Sequence, residues 1–216
     1  MIEAAPFSIE TIVHGRYLVR PAIGTPVGVL FGFHGYAETA ETHLRALEGI
    51  PGIEHWVVAA VQALHPFYTR EQRVVANWMT SQDREIAIAD NVAYVRGVVS
   101  VVAAQVPTLQ RRVLAGFSQG GAMAYRAAAH VGGDGLIILA ADVPPDIAQL
   151  PNVRLPRVLL GRGTTDPWYT ADKQAADLAT LARVGADVET CVFDGGHAWT
   201  PEFCDAAGTY LGRLVT

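Results

Sequence analysis

The chain has 216 residues, half of them hydrophobic, with a formal charge of -5 and only two cysteines, so one domain spanning 1–216 around a single core is expected. Its fifteen arginines and one lysine, Lys173, are scattered and form no stripe able to follow a phosphate backbone, which argues against a nucleic-acid partner. No uncharged apolar run reaches the roughly eighteen residues of a membrane span, and the opening MIEAAPFSIETIV has an early glutamate and no basic leader, so a cytoplasmic protein is expected.

In chain order, FSIETIVHGRYLVRP alternates about His14-Gly15-Arg16 and predicts an antiparallel hairpin on a sheet edge. Apolar β-branched runs follow at 26–33, 55–61, 111–117, 135–141, 157–161 and 187–193. Most are too continuous for half-exposed strands and suit a parallel sheet covered on both faces. Helical patterns lie between them, at 37–50, 83–106, 120–131, 170–185 and 201–215. Alternating strands and helices imply right-handed crossovers and a doubly wound α/β sheet. The stretch 62–82 has no clear period, and loops of that length in a compact domain usually carry function. Only about fifteen residues separate the runs ending at Ala141 and starting near Pro156, which leaves no room for a lid domain. Cys191 and Cys204 lack the spacing of a metal site or a disulfide framework and are read as free thiols. A mean hydropathy of +0.23 is compatible with a homodimer.

Ser118 stands in Gly116-Phe117-Ser118-Gln119-Gly120, between a predicted strand and a predicted helix. This is the pattern of a nucleophile elbow, in which glycines make room for a strained serine whose Oγ projects above the sheet. There the helix dipole and the N–H of the next residue, Gln119, face the charge that develops when a hydroxyl attacks a carbonyl. The elbow order of serine, acid, histidine points to His197 in FDGGHAWTPEF as the base, because His130 falls inside the helix that Ser118 opens. Asp166, in the loop after the strand that ends near Gly161, is the expected orienting acid, with Asp142 second and Asp194 a loop cap. The turn His34-Gly35-Tyr36 after the first long strand supplies a second oxyanion donor, the N–H of Tyr36, while His34 is read as a structural tie. Phe67, Tyr68, Trp78, Met79, Trp168 and Trp199 are candidates to line an acyl pocket or else to pack in the core.

With GFHGYAET, GFSQGG, GRGTTDPWYT and GGHAW in this order, the chain resembles the phospholipase/carboxylesterase branch of the α/β-hydrolases, which includes the acyl-protein thioesterases. The resemblance runs from about Val27 to Leu214. It implies an α/β-hydrolase fold without a lid, a small-molecule carboxylic ester or thioester as substrate, and no metal or organic cofactor. It also implies Ser118 as nucleophile, Asp166 as acid, His197 as base, and the Tyr36 and Gln119 backbone as oxyanion hole. Tyr36 departs from the small or aliphatic residue usual there. Lactones, peptides and lysophospholipids are alternative substrates for the same triad, and a ligand-binding homologue without chemistry is the alternative outside enzymology.

Overall fold

The computed structural model describes residues 4–106 and 111–215. Seven strands form one sheet in the order β1-β3-β2-β6-β7-β8-β9: β1 (Tyr17–Arg20), β2 (Gly28–Phe33), β3 (Trp56–Val61), β6 (Arg112–Phe117), β7 (Gly135–Leu139), β8 (Arg157–Gly163) and β9 (Val188–Phe193). Every pairing is parallel except that of β1 with β3. β2, β3 and β7 are buried along their whole length. Unbroken burial requires cover on both faces, which explains why these runs read as continuous apolar stretches.

The cover comes from α1 (Ala40–Leu47), α2 (Arg84–Gln105), α3 (Gln119–Val131), α5 (Ala171–Arg183) and α6 (Pro201–Val215), with the single turn α4 (Pro145–Ala148) between β7 and β8. Thr39 and Thr170 cap α1 and α5 by accepting from the N–H groups of Thr42 and Lys173. Among the described helices α2 alone is long and apolar enough to cross a membrane. It buries Val95, Val98, Val99 and Val102, and leaves Ile86 and Val101 about half exposed.

Two segments differ from expectation. The antiparallel element at the N-terminal edge is present as β1 on β3, but residues 7–13, read as its hairpin mate, pair with no strand and lie exposed. The aperiodic stretch 62–82 forms a small hairpin, β4 (His65–Tyr68) with β5 (Val74–Asn77), joined to the loop after β2 by a bridge between Glu38 and Ala76. Cys191 and Cys204 are free.

The parallel register carries Phe33 beside Gly116, Phe117 beside Leu139, Leu139 beside Gly161 and Gly163 beside Phe193. The loops after β2, β6, β8 and β9 therefore leave the sheet at one edge, the carboxyl edge where open α/β sheets place their sites.

Candidate active site

β6 ends at Phe117 and α3 begins at Gln119, so Ser118 alone makes the corner. Its backbone sits at φ 51° and ψ -123°, a conformation that costs a side-chain-bearing residue about 1–3 kcal/mol and persists only where the surroundings impose it. They do so from both sides: the Ser118 N–H donates to Leu139 O at 2.9 Å, and its carbonyl accepts from Gly121 N–H at 2.9 Å. The flanking glycines are required by contact rather than by dihedral. A Cβ on Gly116 would strike the Gly120 carbonyl, one on Gly120 the carbonyls of Phe33 and His34, and one on Gly121 the side chain of Ala141. α3 thus packs directly against the ends of β6 and β2.

His197 comes from the loop after β9 to line the same cavity as this corner and to pack on Phe117. Its Nδ1 lies 2.7 Å from Asp166 Oδ2, and the Asp166 side chain is fully buried. The other oxygen of Asp166 accepts from the N–H groups of Trp168 and Tyr169 at 2.8 and 2.9 Å, which fixes the carboxylate plane. The two loops are laced together by Thr164 N–H to Phe193 O and by Thr165 N–H and Oγ1 to Gly195 O, each at 2.9 Å. Gly163 has no space for a side chain against the carbonyls of Gly195 and Gly196. Phe117, next to Ser118 in the chain, and Trp168 both pack against the imidazole, each with its ring centre 4.9 Å away. Ser118, Gln119, Trp168 and His197 line one open cavity of about 240 Å³. The other candidate acids are engaged elsewhere, Asp142 with Lys173 Nζ at 3.1 Å and Asp194 with the Thr164 hydroxyl at 3.2 Å.

His34 is fully buried and its ring ties the loop after β2 in place. Nε2 accepts from Ala63 N–H at 3.0 Å, so the proton is on Nδ1, which donates to Gly35 O at 2.7 Å. Burial holds its pKa below the usual histidine value, against a smaller upward pull from the Gly35 contact. Among the described residues, the N–H groups of Tyr36 and Gln119 have no hydrogen-bond acceptor. Two further parts escape the motif reading of the sequence. Glu38 accepts from Gly35 N–H at 2.8 Å, with its pKa raised by burial despite that bond and the proximity of His197. The Gln119 side chain clamps the end of the hairpin, accepting from Trp78 N–H at 2.8 Å and donating to Met79 O at 2.9 Å. An acidic residue three positions after a glycine turn is the only trace of the first.

The pocket candidates separate into four groups. Trp168, 66% exposed, stands over His197 on the cavity wall. Phe67 stacks on Tyr36 with ring centres 5.6 Å apart, and Tyr68 is 67% exposed on the same hairpin. Trp78 and Met79 are instead core residues under the site: the Trp78 indole N–H donates to His34 O, and its ring fits against Phe33. Trp199 turns away onto His43 and Phe203. A larger cavity, about 390 Å³, lies between His65, Asn77 and the start of α2 and contains none of the candidate residues. Among the described residues no cluster of histidine, cysteine and carboxylate side chains is placed to hold a metal ion.

No family model and no curated protein matches the chain in sequence. Solved structures match it closely in shape. A carboxylesterase from Mesorhizobium loti superposes with a TM-score of 0.78 at 18% identity, over 92% of this chain and 94% of that one. The esterase PE8 gives 0.74 at 19% identity, over 94% of this chain and all of that one. Acyl-protein thioesterase 2 of Zea mays gives 0.72 at 18% identity, with 94% and 100% covered. Likeness at such identities establishes architecture, and with the strand order, the carboxyl-edge loops and the serine corner it shows that this chain has the α/β-hydrolase fold.

Proposed function

We propose that the protein is a serine hydrolase of carboxylic esters or thioesters with small to medium acyl groups. The observation that carries this reading is the Asp166–His197 pair at 2.7 Å, delivered to the cavity that Ser118 lines. A proton on Nδ1, held by the Asp166 carboxylate, leaves Nε2 as the basic nitrogen. Nε2 takes the Ser118 proton as Oγ attacks the acyl carbon, then returns it to the departing alcohol or thiol. Water repeats the sequence in reverse and frees the acid. The N–H groups of Tyr36 and Gln119 receive the oxyanion, and loss of one such donor typically costs about 3 kcal/mol of transition-state stabilisation. Structural neighbours named as esterases and a thioesterase support the reaction class.

The test is covalent labelling with a fluorophosphonate probe, together with hydrolysis of p-nitrophenyl esters of increasing acyl length. The native protein labels, Ser118→Ala does not, and acetate or butyrate turns over faster than palmitate. A native protein that neither labels nor cleaves any of these esters overturns the proposal.

A further inference from the structure

The cavity beside Ser118 has one wall of small apolar residues, from Ala140 and Ala141 to Pro144 and Pro145, and a charged rim. Three charged side chains stand on that rim: Arg84 at the start of α2, Asp142 after β7, and Lys173 on α5. Lys173 and Asp142 neutralise each other at 3.1 Å. Arg84 is different. It makes no hydrogen bond or ion pair with any described residue, and the carboxylate whose charge it senses, Asp146, already holds the fully buried Arg126 through two bonds of 2.8 and 2.7 Å. The rim therefore carries one surplus guanidinium in a protein whose formal charge is -5. Its planar fork of donors matches a carboxylate. The volume, about 240 Å³, is below the roughly 300 Å³ where pockets for drug-sized ligands begin.

We propose that this cavity selects small esters that carry a carboxylate, with Arg84 as the side chain that binds it. The inference rests on the hydrolase reading of the same site and names its substrate class. The acyl or alcohol half that bears the anion is the one reaching away from Ser118 toward the start of α2.

Three esters of similar size test it at low salt: neutral ethyl butyrate, monoethyl succinate with the anion in the acyl half, and carboxymethyl butyrate with the anion in the alcohol half. One of the anionic esters should show a kcat/KM about fivefold above ethyl butyrate, the worth of a part-exposed ion pair, and the advantage should fade at high salt. Arg84→Gln should lower the anionic-to-neutral ratio about fivefold and Arg84→Glu should invert the preference. Arg183→Gln, the same charge change at an exposed site on α5, should leave the ratio as it is. Turnover of ethyl butyrate with no preference for either anionic ester, or a ratio equally altered by the changes at 84 and 183, overturns the anion site alone. Failure to cleave all three, with no fluorophosphonate labelling, overturns the hydrolase reading and this inference with it.

Discussion

Both oxygens of Asp166 are in use, one on His197 and the other on two main-chain N–H groups, so removing its charge and removing its bonds are separable experiments. Asparagine keeps an oxygen for Trp168 and Tyr169 but presents an amide N–H to Nδ1. That drives the imidazole proton onto Nε2, the nitrogen that must be free to accept the Ser118 proton if the protein is the hydrolase proposed. Asp166→Asn is expected to lose on the order of 10⁴ in kcat on a short ester, with an almost unchanged melting temperature. Asp166→Ala should lose activity and also about 1–3 kcal/mol of stability, because the buried Tyr169 N–H and the part-buried Trp168 N–H are left without an acceptor. Esterase kinetics and thermal melts on both variants check this, and an Asn variant as active as the parent would remove Asp166 from the mechanism. That Asp166, and not Asp142, meets His197 was legible because strand order places it after β8. Glu38 was not, since its partner is a main-chain N–H that no side-chain pattern announces.

At the scale of elements, the strands β2, β3, β6, β7 and β8 were legible because both-face burial demands uninterrupted apolar runs, whereas the edge strand β9, buried only at Phe193, was legible from its β-branched residues alone. The hairpin β4–β5 was not, since β4 contains Pro66 and is mostly exposed, so neither a buried run nor an alternation marks it. Residues 7–13 misled in the opposite way: their alternation is that of a strand, but no edge receives them. Phe7, Ile9 and Ile12 are 93, 91 and 93% exposed and contribute no apolar burial. Structure begins just after, where a Cβ on Gly15 would run into the Tyr94 ring and the Tyr94 hydroxyl donates to Arg16 O at 2.6 Å. Truncation before His14 should therefore shift the melting temperature by less than about 2 °C, whereas Gly15→Ala should lower it by about 4–8 °C. A truncated chain that melts far below the full one would mean that the arm is bound after all. Gln119 shows how elements cooperate at the site, since the residue that begins α3 also anchors the exit of β5 through Trp78 and Met79.

For the molecule as a whole, two buried histidines couple folding to acidity. His34 has its pKa lowered by burial, and that of His43 is pushed down from 6.5 to about 3, also by burial and then by its neighbour His34. Neither ring nitrogen of His43 completes a hydrogen bond, and the nearby Ala115 main chain offsets little of the burial. A base whose folded pKa is depressed contributes fully above its unfolded value and loses that contribution as pH falls. Stability should therefore decline from about pH 6.5 downward, His43 contributing a slope of about 1.4 kcal/mol per pH unit and His34 adding to the decline in the same direction. Glu38 and Asp177 act in the other sense. Burial raises both, so their ionisation costs stability as pH rises through the raised values and acidification relieves that cost. His43→Leu isolates the histidine term: it removes two unpaired polar atoms from the core, so stability at pH 7 should hold or rise, and the decline between about pH 6 and 4 should become shallower by about one proton's slope. Urea unfolding of the parent and His43→Leu proteins at several pH values in that interval measures both slopes, and equal slopes would show that His43 is not held neutral by the fold.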